Sequence, residues 1–378
     1  MKVSPAASLT AVCAVIVLAT TSCAIERSTA SDVPPGREST AACEPLAPYA
    51  DVESMAADFA RAPSLAGLTG GDMAVDTALT GGDLLMAFGD ALLDTDITQE
   101  ASVRNAVLSF ADDRVCLVLG PRGSAFVPDR VDGVGYWPTS LVEVNDGTVA
   151  MFLQRVAERG DGVFVNLGPS LAEVTVDDDG IPHVVSVQDV GSDESSRQRI
   201  GWGAASWRGD DGLVYIYGTA NPERDLVFGW SLHVARTSPE RIFDVESWEY
   251  WTGSRWSGEE SSATAVIPAV GGVEQTLSVF AEGQTWYAVS KRDGALGSDV
   301  VIRSAPAPTG PFTAGEVVAS RPSNPEAGIL AYAALAHPAL FPEPGTIVVS
   351  VSRNMTDADA IAADPTLYRP EFFRVPLP

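Results

Sequence analysis

Asp90 closes the apolar run MAFG, a place where burial would raise a carboxyl's pKa and a nearby guanidinium would hold it ionised. The guanidinium at hand is Arg104, in the dipeptide Arg104-Asn105, and the same dipeptide recurs as Arg353-Asn354. Guanidinium forks and amides are what a site uses to hold carboxylates or hydroxyl-rich ligands. Trp137 and Trp202, each at the mouth of an apolar strand with Thr139 close behind the first, offer flat faces to a ring. His337, in LAHPAL, is placed to face a central channel, where it would bind a hydroxyl, a water or a single ion, whereas His183 and His233 fall within outer strands. Each residue also has an ordinary structural use: a loop cap or ion pair for Asp90, filling between sheets for the tryptophans, a packed core position for His337.

A protonated carboxyl that assists a leaving oxygen, beside an ionised one that attacks or activates water, is the machinery that breaks glycosidic bonds. Asp90 supplies one of the two, with Asp94 and Asp96 in the following loop as substitutes. For the second, Glu259, Glu260 and Glu326 lie on connections that reach the same side, and Glu260 is preferred. No cofactor is required by this chemistry.

Five short strands must position these residues: LLMAFGDAL from Leu84, VAMFLQRV from Val149, LVYIYGTAN from Leu213, TWYAVSKRD from Thr285 and TIVVSVSRN from Thr346. Their spacing is roughly 60 to 75 residues, longer than the ~40 to 50 of common propeller repeats. An apolar strand and a turn such as NDG, DDG, GGD or AEGQ precede each of the first four, which is the signature of a hairpin. In blade one the first strand reads as DTALT, and in blade five as AALAHPALF. Two weaker strands follow in most units, and the last unit is short, ending in EFFRVPL. The expected fold is all-β: a five-bladed propeller with four antiparallel strands per blade and a ring closed by terminal strands. The start of each inner strand, the end of the second and the start of the third then share one face, and the candidate residues fall there together.

Residues 1–22 read as a lipoprotein-type signal peptide, because Lys2 precedes an apolar stretch too short to span a bilayer and LATTSC ends at Cys23, the expected lipidation site. Residues 23–42, rich in Ser, Thr and Pro, read as a flexible tether, and residues 43–378 as the propeller. Of four cysteines, Cys13 leaves with the signal and Cys23 carries lipid, so Cys43 and Cys116 remain to form one disulfide in an oxidising compartment. The expected setting is extracytoplasmic, on the cell surface, with the membrane touched only through the anchor. A formal charge of −26 argues against nucleic acid and against a polyanionic substrate. It suits a neutral polysaccharide ligand and a monomer. No GxSxG elbow, HExxH, P-loop or CxxC is present, and three histidines cannot build a histidine-rich metal cluster.

The run WPTSLVEVNDGTVAMFLQRV, the phrase HVARTSPERIFDVESWEYWTG, the stretch IRSAPAPTGPF and the ending AHPALFPEPGTIVVSVSRN with YRPEFFRVPL resemble actinobacterial secreted propellers of the domain-of-unknown-function 4185 type. That group is similar to the five-bladed furanosidase superfamily, including glycoside hydrolase family 43. The resemblance implies an endo-acting D-arabinanase or another furanosidase acting on cell-wall glycans, with Asp90, Arg104 and Asn105 in its site. It matches no second carboxylate, so a propeller lipoprotein that binds surface glycan without cutting it is the alternative.

Overall fold

Turn chemistry sets the first level of the fold. All five hairpins between first and second strands turn through a glycine of positive φ, at Gly82, Gly147, Gly212, Gly283 and Gly345, a conformation that a side chain would strain. The computed structural model describes residues 39–111, 113–160 and 163–378; the expected signal segment, Cys13 and Cys23 lie outside them.

The strands that flank these turns build five antiparallel sheets arranged as blades. Blade one contains β1 (Thr40–Pro45), β2 (Leu68–Ala78), β3 (Leu84–Leu93), β4 (Ser102–Ala111) and β5 (Arg114–Leu119). Blade two contains β6 (Gly135–Asn145), β7 (Thr148–Glu158), β8 (Phe164–Val176) and β9 (Pro182–Asp189). Blade three contains β10 (Gly201–Arg208), β11 (Val214–Ala220), β12 (Ser231–Thr237), β13 (Glu249–Trp251) and β14 (Trp256–Ser257). Blade four contains β15 (Ser278–Glu282), β16 (Thr285–Lys291), β17 (Asp299–Ala305) and β18 (Glu316–Ser320). Blade five contains β19 (Ile329–His337), β20 (Thr346–Met355) and β21 (Pro370–Pro376). The protein is an all-β five-bladed propeller of four-stranded type, with an added short strand in blades one and three and three strands in blade five.

Apolar side chains fill the gaps between blades in separate clusters, such as Val107, Tyr136 and Met151 between blades one and two and Val289, Ala334 and Val349 between blades four and five. The seam between blades five and one is closed differently. Helix α1 (Val52–Arg61), started by an Asp51–Ser54 capping box, buries Val52, Met55 and Phe59 against blade one and Phe372 of β21. Arg369, just before β21, donates to the carbonyls of Phe59, Ala62, Pro63 and Thr69 at 2.7 to 3.0 Å. A cation at the carbonyl end of a helix is where charge and orphan acceptors both favour it.

The N-terminal strand serves blade one. β1 pairs antiparallel with β5, Cys43 stands opposite Cys116, and the two form a disulfide. Residues 40–42, expected in the tether, are therefore already strand, because the β5 edge offers them backbone partners.

Inner strands bend through bulges at one level of the ring. Register shifts occur between Met73 and Val75, Pro138 and Ser140, Trp202 and Ala205, and Tyr332 and Ala334. Bulges re-aim the side chains beside them. Asp72 and Tyr332 flank this level in neighbouring blades, opposite Gly89 and Ser352 of their second strands.

Candidate active site

Asp72 and Asp90 sit on paired strands at the face where inner strands begin. Asp90 is held in the left-handed region, φ +37°, which aspartate tolerates better than most residues at a cost of about 1 kcal/mol. Two donors converge on its Oδ1: Trp137 Nε1 at 2.9 Å and Arg104 Nη1 at 3.3 Å. Its Oδ2 is left for substrate or water. Arg104 also reaches Glu158 at 3.4 Å and lies 4.4 Å over the Phe164 ring, which meets Trp137 edge-on at 5.4 Å. Arg104 is thus shared by two carboxyls and stacked on the Phe164 ring.

Asp72 is half-buried, and its Oδ2 accepts from the Tyr332 hydroxyl at 2.5 Å. Burial, and after it the charge of Asp90, pushes its pKa up to about 7, against the pull of the Tyr332 and Tyr368 hydroxyls. Burial also raises Asp90, while the Trp137 indole and the Arg104 charge oppose the rise. Two carboxyls that share a site and differ in their donors divide into an acid and a base. Asp72 is pushed up to about 7, while Asp90, also raised by burial, keeps the Arg104 cation and the Trp137 indole on its carboxyl.

The structure brings together four of the residues singled out in the sequence: Asp90, Arg104, Trp137 and, through Tyr332, Asn354. It does not bring Glu260 to them. Glu260 begins a short 3-10 turn beyond β14, and its Oε1 accepts from Trp202 Nε1 at 2.8 Å. Trp202 in turn is 3 % exposed and packs against Tyr250, so it offers no face to a ligand. Asn105 is fully buried; its amide donates to the Val127 and Tyr136 carbonyls and accepts from Val127 N–H, which fixes the connection into blade two and leaves nothing for a substrate. Arg353 is exposed beside Asn354.

His337 also lies away from these residues. It is the last residue of β19, at the opposite end of the channel, with Nδ1 2.8 Å from Asp76 Oδ1 and Nε2 2.7 Å from Ser350 Oγ. Asp76, His337 and Ser350 have the order of a hydrolase triad, but His337 and Ser350 are fully buried, so no acyl group can reach the hydroxyl. The trio anchors β19 to β2 and β20.

A cavity of about 480 Å³ opens at that same far end, lined by Leu141, Trp207, Leu277 and Phe280 among others. Its carboxyls are already engaged, Asp76 by His337 and Glu143 by Thr80. Among the described residues, no group of three or more His, Cys, Asp or Glu side chains is arranged to hold a metal ion.

The fold is similar to that of a candidate hydrolase from Bacteroides ovatus ATCC 8483, with 17% identity, 88% of this chain and 93% of that one covered, and a TM-score of 0.64. Looser likenesses are a GH43_1 enzyme from Xanthomonas citri complexed with xylotriose (14% identity, 82% and 88% covered, TM-score 0.45) and an α-L-arabinanase from Penicillium chrysogenum complexed with arabinobiose (13%, 74% and 76%, 0.38). At these identities the likeness is one of fold. No curated protein matches the sequence. The family described as Domain of unknown function (DUF5005) matches residues 59–376, and the chain belongs to it.

Proposed function

We propose that the protein is a glycoside hydrolase of the cell envelope, cleaving a furanose-containing polysaccharide such as D-arabinan. The Asp72–Asp90 pair carries this reading. Asp72, with its pKa pushed to about 7, donates a proton to the departing glycosidic oxygen. Asp90 Oδ2 attacks the anomeric carbon or takes a proton from the water that does. Arg104 and Trp137 hold Asp90 through its other oxygen, and Trp137 and Phe164 form an aromatic wall beside it. The choice of D-arabinan rests on the sequence resemblance to the domain-of-unknown-function 4185 type. A lipid on Cys23 would place the propeller against the polysaccharide from outside the membrane.

The test is to incubate the soluble part, from Ala24 onward, with arabinogalactan and follow released oligosaccharides beside an Asp90→Asn variant. Fragments are expected from the wild type and at least about 100-fold fewer from the variant. A folded protein that binds the glycan and releases nothing would be a surface binding protein instead.

Gly89 supplies a second check, because a methyl there would stand 2.7 Å from Asp72 Oδ1. Gly89→Ala is expected to push the carboxyl off Tyr332 and lower kcat/KM about 10- to 100-fold, since such misplacement is felt directly in the transition state. An unchanged kcat/KM in a folded variant would remove Asp72 from the mechanism.

A further inference from the structure

A line of hydrogen bonds runs from the backbone of β20 into the site. Asn354 Oδ1 accepts from the Met355 N–H at 2.7 Å, which fixes the orientation of its amide. Nδ2 therefore faces the Tyr332 hydroxyl, 3.0 Å away. An amide nitrogen only donates, so the tyrosine oxygen accepts from it and must send its own single proton elsewhere. Asp72 Oδ2, at 2.5 Å, receives it. Burial and the charge of Asp72 hold the Tyr332 pKa far above its usual value, so that proton is always present.

Asp72 Oδ2 is consequently an acceptor in either ionisation state. When Asp72 binds a proton, the proton goes to Oδ1, the oxygen that lies against Gly89 beside Asp90. We propose that Asn354, acting through Tyr332, is a positioning residue that keeps the titrating proton of Asp72 on Oδ1, on the side of β3. An acid prepared in this way delivers its proton without first turning its carboxyl. The inference rests on the reading of Asp72 as the acid, but its test does not depend on turnover.

Asp90 from β3, Tyr332 from β19 and Tyr368 from the turn before β21 all act on Asp72. Arg104, Trp137 and Glu158 act on Asp90 behind it. The Tyr368 hydroxyl is a rotor that can donate or accept, so it follows the state of Asp72 without setting it.

The experiment is a titration of the Asp72 carboxyl carbon by NMR in protein labelled at aspartate, with Asp72→Asn providing the assignment. In Asn354→Asp one carboxyl oxygen still accepts from Met355, while the other draws the Tyr332 proton away. Asp72 loses its donor, and its midpoint is expected to rise by about one pH unit or more. Tyr332→Phe should raise it as well. In a Tyr332→Phe background, Asn354→Asp should add little, because the relay is already cut. An unchanged midpoint in Asn354→Asp, or an equal rise with and without the tyrosine hydroxyl, would overturn the proposal; the latter would show a bare through-space charge effect. If the relay behaves as expected while the protein cuts no glycan, the proton placement stands and the hydrolase reading falls.

Discussion

Asp72→Asn should abolish glycan cleavage and, at alkaline pH, make the fold more stable. Loss of a general acid is expected to lower kcat about 10²- to 10⁴-fold. The stability gain follows from linkage. A carboxyl whose folded pKa is about 7, against an unfolded value of 3.8, is protonated in both states at low pH and adds no penalty there. Between the two values the folded state holds the proton more tightly than the unfolded chain, so stability falls as pH rises through that window. Above about 7 the fold carries the full cost of an ionised Asp72 crowded by Asp90. Asparagine removes that cost and keeps an oxygen for Tyr332. Because Asp72 is still reached by solvent, the gain at pH 8 is on the order of 1 to 3 kcal/mol, shrinking to nothing near pH 4. Urea unfolding at the two pH values measures it. The same titration should give wild-type kcat/KM a falling alkaline limb near pH 7. A variant that is inactive but no more stable than wild type at pH 8 would mean that Asp72 titrates as an ordinary aspartate.

The fold was more legible than the site, and the reason lies in where the inner strands begin. Second strands such as Leu84–Leu93 and Thr346–Met355 follow a glycine turn and carry an apolar run, LLMAF or IVV, a strong signal in sequence. Inner strands are broken by bulges, with Ala74 and Ala333 at positive φ, and their alternation is lost at that level. DTALT and AALAHPALF therefore read as whole strands in sequence, whereas β2 starts at Leu68 and β19 at Ile329. That shortening hid Asp72 and Tyr332, which lie in the portions left out. The same shortening misplaces His337, because β19 ends at that residue. Asp90, Arg104 and Trp137 were readable because they sit at ends of well-marked strands. Asn105 shared those cues, but its amide serves the backbone of the next connection, a use that sequence does not announce. The signal that could have exposed Asp72 was the LTGGD run, whose paired glycines leave room for close approach around a carboxylate.

The second large effect is expected at Glu274, far along the chain from either aspartate. This carboxylate is 2 % exposed, and it accepts from Ala333 N–H at 2.8 Å, Ala334 N–H at 2.9 Å and Lys291 N–H at 3.1 Å. Two of those donors belong to the bulge of β19, where the strand has lost its ladder partners, so a side chain of the blade three-to-four connection supplies the missing acceptors. Burial pushes the Glu274 pKa up, while the N–H groups and the charge of Lys291 hold it down. Glu274→Ala orphans three buried donors and removes a negative charge that favours the buried Lys291 ammonium, whose Nζ donates to the Ala295 and Ala331 carbonyls. The expected loss is about 3 to 5 kcal/mol, the scale of leaving three buried donors unsatisfied. Urea unfolding of the variant checks it, and a loss under about 1 kcal/mol would mean that the seam between blades four and five is held by its apolar cluster alone. Glu274→Gln, which keeps one acceptor, should fall between the two. Tyr332 directly precedes the bulge that Glu274 ties down, so this variant should also loosen the donor on Asp72 and raise the midpoint of its titration. Stability and the acidity of Asp72 would then move together through a residue that touches neither aspartate.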